Sequence, residues 1–184
     1  MWLLFGLLSE AWIRPNLTCL LFFNIIWMLE DKTNARKLSN IFTFWGSSLI
    51  TITSVLYILT QQPEYAILCH SIFYSHMLFE LVYGYLYFPQ YMYGLTTYTH
   101  HFVYLFFEYV LIWETSHFQK FVYFFPQEFP TFLLACKRYF EIDSDLYNLG
   151  SLVSFVFSVS FTICLLVIST GRLYGKIVSM SLCF

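Results

Sequence analysis

Long apolar runs, separated by short polar connections, recur along this sequence and limit the folds that are open to it. Four of them reach the roughly 20 residues that a helix needs to cross a bilayer: Leu38–Leu59, Glu64–Phe88, Gly94–Trp113 and Leu146–Thr170. Only 11% of the chain is charged, against about 25% in soluble domains. A soluble chain of 184 residues has too small an interior to bury so much apolar surface. The sequence therefore predicts an all-α fold, a polytopic transmembrane helix bundle of about five to six spans.

The two ends of the chain are expected to differ from this middle part. Met1–Ile13 is apolar and is followed by a charged, proline-containing break. It either lies at the membrane interface or joins Leu17–Leu29 as a bent first pass, since the second run alone is short for a span. Residues 1–29 are thus assigned to an N-terminal interfacial or first membrane segment, residues 30–172 to the transmembrane domain and residues 173–184 to a C-terminal tail.

A histidine pair lies within one of the apolar runs, and a helix is predicted over that run, Gly94–Trp113. At helical spacing His101, Tyr104 and Glu108 share one face. An ionised side chain at the centre of a spanning helix costs about 2.5–3.5 kcal/mol, so such side chains face a protein interior or a cavity. His100 and His101 are therefore the candidate catalytic residues, with Tyr104 and Glu108 as cavity-lining or orienting residues.

A second pair of polar residues lies in the run Glu64–Phe88. His76 and Glu80 are four residues apart, so their side chains meet on one helix face. They are candidates for lining or orienting a lipid or substrate, although a pair that only neutralises itself within the bundle is an equal alternative. His70, in the same run, is interpreted as a structural residue near the membrane edge.

The run Phe118–Cys136 is interrupted by two prolines, and polar residues lie in the break. A proline removes a backbone donor, and the groups that it frees need partners or a cavity. Pro130 is expected to begin the restarted helix, with Glu128 just before its positive end. Glu128 and Thr131 therefore join the candidate cavity residues.

Hydroxyl and amide residues recur every three to four positions in the run Leu38–Leu59: Asn40, Thr43, Ser47, Thr51 and Ser54. Small polar residues on one face let helices approach closely and hydrogen-bond in lipid. The stripe is predicted to pack against a neighbouring helix, with a polar cavity lining as the alternative.

Other kinds of site have little support in the sequence. No basic patch suggests nucleic acid, and the five cysteines show no CxxC spacing. Imidazole and carboxylate ligands from His76, Glu80, His100 and His101 would suit zinc or iron, but no HxxxH spacing occurs. Neither a metal nor a resident cofactor is predicted.

The order of these motifs resembles that of the TLC domain family. The motifs are Lys32–Ser39 before a span, Ser75-His-Met-Leu-Phe-Glu80, the histidine pair, and Glu128-Phe-Pro-Thr131 followed by Lys137-Arg138. The family includes ceramide synthases, translocating-chain-associated membrane proteins and small lipid-homeostasis proteins, and the likeness covers about residues 30–172. By resemblance, His100 and His101 match a pair needed for catalysis in ceramide synthases, and Glu80 stands where many members carry Asp.

The resemblance implies a function in membrane lipid homeostasis, in the endoplasmic reticulum. Glu128 and Thr131 match a Glu…Thr motif of the non-synthase branch, which favours a small TLC-domain protein that binds or modifies a lipid in a cavity lined by the histidine pair. The alternative is an N-acyltransferase of sphingolipid synthesis, with a histidine general base and acyl-CoA as cosubstrate. A membrane lipid is the expected partner, nucleic acid is not, and a homo- or hetero-oligomer is compatible with either function.

Overall fold

The computed structural model describes residues 10–31, 33–91, 94–113 and 115–181, which form helices and short connections with no strand among them. The helices are α1 Glu10–Leu29, α2 Ala35–Leu38, α3 Ile41–Thr60, α4 Pro63–Tyr87, α5 Gly94–Trp113, α6 Thr115–Phe121, α7 Glu128–Tyr139 and α8 Asp145–Ser181, with 3₁₀ turns at Pro89–Tyr91 and Val122–Gln127. The all-α prediction is confirmed, and α5 has the bounds that the sequence predicted.

Three helical stretches in the described chain are long and apolar enough to cross a membrane, which is consistent with an integral membrane protein. They are Trp12–Leu29, Arg36–Thr60 and Pro63–Tyr87. Of the five to six spans predicted, the structure therefore supports three. Large apolar side chains such as Met28 and Leu59 are exposed on these helices, as expected for surfaces that face lipid tails.

The N-terminal helix α1 extends beyond the run from which it was predicted. It is continuous from Glu10 to Leu29 and includes Pro15. Leu17–Leu29 is therefore part of a 20-residue helix rather than a separate short segment. Met1–Ser9 and the end of the predicted C-terminal tail, residues 182–184, lie outside the described residues.

A tight turn between α3 and α4 makes these two helices antiparallel neighbours. Gln61 ends α3 in the left-handed conformation, with φ of 56°, and its backbone N–H donates to the Tyr57 carbonyl at 2.7 Å. Such a residue closes the last helical turn and satisfies a carbonyl that would lack a partner. Pro63 begins α4, where the fixed φ of proline suits the first turn.

The predicted break in the run Phe118–Cys136 is present, but the second helix begins earlier than expected. Helix α6 ends at Phe121, a 3₁₀ turn containing Pro126 follows, and α7 begins at Glu128 rather than at Pro130. Pro130 is tolerated in the first turn because the first backbone donors of a helix have no intrahelical acceptor. Glu128 is consequently within the positive end of α7.

A cluster of aromatic rings joins α1, α3 and α4. The ring centroids of Phe23, Phe42 and Phe79 lie 5.4 to 6.0 Å apart, and Tyr83 stacks on Phe79 at 5.1 Å. Phe23 and Phe42 are almost completely buried. This packing fixes the register of α3 against α4 and so positions the polar residues of both helices.

A polar cluster joins α2 and α7 at one end of the bundle. The Tyr139 hydroxyl donates to Glu30 Oε1 at 2.6 Å, and Lys37 Nζ lies 4.0 Å from Glu30 Oε2 and 4.4 Å from the Tyr139 ring centroid. Burial and the hydrogen bond to Glu30 raise the pKa of Tyr139 to about 12. The phenol therefore keeps the proton that it donates.

Candidate functional site

A cavity of about 440 Å³ lies among α3, α4, α5 and α7, next to the polar cluster at the end of the bundle. Its walls include residues that the sequence singled out in three separate runs: His76, Glu80, His100, His101, Glu128 and Thr131. Asn40 and Thr43, at the start of the hydroxyl stripe, also line it. The remainder of that stripe packs, since Ser47 and Ser54 are completely buried.

Glu80 is the carboxylate on which the polar side chains of the cavity converge. The Thr43 hydroxyl donates to Glu80 Oε1, and His101 Nε2 lies 2.6 Å from Oε2. His76 Nδ1 lies 3.8 Å from Oε1. One carboxylate therefore connects α3, α4 and α5 inside the bundle, and it holds the His101 ring in a fixed orientation.

His76 lines the cavity and has one buried nitrogen without a hydrogen-bond partner among the described residues. The side chain is buried, and its contact of 3.8 Å with Glu80 is too long for a hydrogen bond. Nδ1 has no hydrogen-bond partner among the described residues. Buried polar atoms in proteins are nearly always paired, so Nδ1 is an exception, and it lies against Gly46 of α3.

His100 lies in the same cavity but in a different environment from His101. Its side chain is exposed, and its ring centroid lies 4.5 Å from that of Tyr104 and 5.6 Å from that of His101. Tyr104 is not among the cavity-lining residues. Its ring packs between those of Phe73 and His100. Of the histidine pair, only His101 is bound to a carboxylate within the described residues.

Glu108 lies apart from the cavity and orients His70 rather than His101. Both side chains are fully buried, with His70 Nδ1 2.7 Å from Glu108 Oε2 and His70 Nε2 2.7 Å from the Phe118 carbonyl oxygen. A carbonyl only accepts hydrogen bonds, so Nε2 carries a proton. His70 lies in the core and joins α4, α5 and α6, and its structural role stays a prediction.

Glu128 and Thr131 form the fourth wall of the cavity. Both residues lie in the first turn of α7, with Thr131 three positions after Glu128. Burial and the nearby Glu80 carboxylate raise the pKa of Glu128 to about 7, which outweighs the positive end of the helix. Thus the proline break places a second carboxyl group opposite the Glu80 cluster.

Three residues of the site were not identified from the sequence. Arg36 and Arg138 line the cavity, although the sequence showed them only as parts of basic motifs. Gly46 lies where a Cβ atom would overlap the His76 ring. No periodic pattern relates these positions to the histidines, so only the packing of the helices reveals them.

Within the described part of the chain, no three or more His, Cys, Asp or Glu side chains form a group that could hold a metal ion. Comparison of the chain with protein-family models, with curated proteins and with solved structures found no significant match. The resemblance to the TLC domain therefore stays a prediction.

Replacing Gly46 with alanine is expected to destabilise the protein by about 1–3 kcal/mol, the usual effect of overpacking a core. The added methyl group would overlap the buried His76 ring, which would have to shift out of its packed position. Gly150→Ala is the matched control, because a Cβ atom there meets nothing within 4 Å. Thermal unfolding of the purified protein in detergent measures both effects. Equal midpoints for the two variants would contradict the close approach of α3 to His76.

Proposed function

We propose that this protein binds or modifies a lipid in the cavity around Glu80 and acts in membrane lipid homeostasis. The convergence of His76, Glu80, His101 and Glu128 on one cavity is the observation that supports this proposal. Polar and ionisable side chains are expensive at membrane depth and mark binding or reaction sites there. The resemblance to the non-synthase TLC-domain proteins agrees with it and favours residence in the endoplasmic reticulum.

An amphiphile is the ligand that suits such a cavity. Its inner wall carries imidazole and carboxyl groups, whereas Phe155 of α8, which is half exposed, lines its outer side. An acyl chain would leave the cavity along this apolar side, and the polar part of the molecule would meet the histidines. In this proposal α5 and α8 cross the membrane as well, which brings the number of spans to about five.

Acyl transfer is the second candidate, and the bond between Glu80 and His101 favours it. A carboxylate that holds an imidazole in one orientation also stabilises the imidazolium, as in hydrolase triads. His101 would accept the proton of a long-chain amine while the amine nitrogen bonds to the acyl carbon. The carbon–sulfur bond of acyl-CoA would break, and the thiolate of coenzyme A would take up the proton from the imidazolium. Histidine suits this step because its ordinary pKa near 6.5 leaves neutral base at pH 7.

Lipid analysis of cells with and without the protein tests the proposal. In a background lacking acyl-CoA-dependent ceramide formation, expression of the unaltered chain is expected to change the amount of at least one lipid class. Rescue of ceramide would support acyl transfer, and His101→Ala would then lower its rate at least about a hundredfold. A changed lipid class without rescue would support binding or regulation.

Matched variants on α5 distinguish the effect of losing a histidine from the effect of any change to this helix. His101→Ala and His100→Ala are compared with Phe106→Ala, which alters an exposed side chain of the same helix outside the cavity. The expected result is loss of the lipid change in His101→Ala and its retention in Phe106→Ala. If both histidine variants stay folded in the membrane and leave every lipid class as the unaltered protein does, the proposal is wrong.

A further inference from the structure

Two arginines border the cavity from different elements. Arg36 lies on α2 and Arg138 on α7, and both line the cavity with the histidines. Their chain neighbours Lys37 and Tyr139 are in contact, with Lys37 Nζ 4.4 Å from the Tyr139 ring centroid. The two guanidinium groups therefore belong to the same end of the bundle, where the polar cluster of Glu30 lies.

Arg36 has positive charge that the described part of the chain does not neutralise. Its side chain is exposed and forms no ion pair with any described carboxylate. The nearby Glu30 carboxylate is bound by Tyr139 and Lys37, and Glu80 is bound by Thr43 and His101. A ligand that enters the cavity from this end thus meets a cation first and the imidazoles afterwards.

We propose that the ligand carries a phosphate group, which Arg36 and Arg138 bind at the end of the cavity. This inference depends on the proposed function and specifies its ligand. The planar guanidinium fork matches phosphate oxygens in pairs, and a phosphate has enough oxygens for guanidinium groups from two sides. The apolar part of the ligand extends past Phe155.

The position of His76 agrees with a ligand that is anchored in this way. The His76 side chain lines the same cavity as the two arginines. A phosphate held at the end of the bundle directs the adjoining polar atoms of the ligand inward, where the His76 ring and the Glu80–His101 pair lie. The two arginines therefore position the ligand by its phosphate group. The ligand atoms that lie deepest in the cavity contact the histidines.

The thermal midpoint of the full-length protein in detergent tests the inference. Oleoyl-lysophosphatidic acid is compared with monooleoylglycerol, which has the same acyl chain and glycerol but no phosphate. The phosphate compound is expected to raise the midpoint in a saturable way and at lower concentration. Arg36→Gln and Arg138→Gln should each weaken this effect on the order of tenfold or more, since hydrogen bonds to charged groups are the strong ones. Arg36→Lys keeps the positive charge but lacks the planar guanidinium group, so its midpoint shift should lie between those of the unaltered protein and Arg36→Gln.

Arg14→Gln is the matched control, because Arg14 is an exposed arginine of α1 outside the cavity. It should leave the midpoint shift unchanged, and an equal loss there would overturn the inference in favour of general surface attraction. Coenzyme A and inorganic phosphate distinguish the source of the phosphate. If they compete with the lipid, a soluble phosphate compound occupies the site, and if they do not, a lipid headgroup does; either result supports a phosphate site.

Failure of the inference differs from failure of the proposed function. Equal binding of both oleoyl compounds, unaffected by the arginine variants, would overturn the phosphate site and leave lipid binding intact. Absence of any midpoint shift with either compound would overturn both.

Discussion

Replacing Glu108 with leucine should lower the free energy of unfolding by about 3–5 kcal/mol, the usual cost of removing one partner from a buried ion pair. His70 Nδ1 lies 2.7 Å from Glu108 Oε2, and both side chains are completely buried. The rings of Trp12, Phe118, Phe121 and Phe125 surround the imidazole, with centroids 5.2 to 6.2 Å away. No water would replace the lost carboxylate in such surroundings, so the polar nitrogen of His70 would remain buried without a partner.

A double-mutant cycle separates this pair from simple loss of packing. His70→Leu and Glu108→Leu each leave one polar group unpaired, whereas the double variant removes both. The double variant is therefore expected to be more stable than the sum of the two single losses predicts, by an interaction free energy of about 0.5–3 kcal/mol. Thermal and denaturant unfolding in detergent measure it. Purely additive losses would show that the pair contributes no specific interaction between α4 and α5.

The sequence predicted which helix faces are polar, and it did not predict which neighbours they meet. Helical periodicity placed His101, Tyr104 and Glu108 on one face of α5, and the structure has His101 and Glu108 buried there. However, the two residues lie about two turns apart along the helix and meet different parts of α4. His101 meets Glu80, and Glu108 meets His70. Periodicity within one helix contains no information on the relative shift of the next.

The pairing of His76 with Glu80 shows the same limit at shorter range. A spacing of four residues predicted their proximity, and the two side chains are near each other. The hydrogen bonds of Glu80, however, go to Thr43 on α3 and His101 on α5. Three helices therefore contribute to the cluster, and a stripe in the sequence of any one of them predicts only its own part.

The sequence predicted helix boundaries better at prolines than it predicted contacts between helices. The two prolines predicted the interruption before α7, because their effect on the backbone is the same in every fold. The start of α7 was predicted two positions late, since proline in a first turn is compatible with several helix starts. Gly46 and Arg36 were missed for the opposite reason: their importance comes from contacts across the bundle with His76 and with the cavity.

Replacing Glu80 with alanine is expected to destabilise the protein by about 1–3 kcal/mol for each polar group that loses its partner. Two groups do so, the Thr43 hydroxyl and the His101 Nε2 atom, which come from α3 and α5. The loss is therefore expected to approach that of Glu108→Leu. Thermal unfolding in detergent again provides the measurement, with Glu64→Gln, at an exposed glutamate of the same helix, as the control.

Glu80→Gln separates the charge of this side chain from its shape. The amide keeps an oxygen that accepts from Thr43 or from His101, so most of the stability should be retained. The negative charge that stabilises a protonated His101 is lost, so any reaction that uses His101 as a base should decrease as strongly as in His101→Ala. A glutamine variant that is stable but inactive would identify Glu80 as the group that acts through His101. A glutamine variant with unaltered effects on lipids would show that Glu80 joins the helices and that its charge contributes nothing through His101.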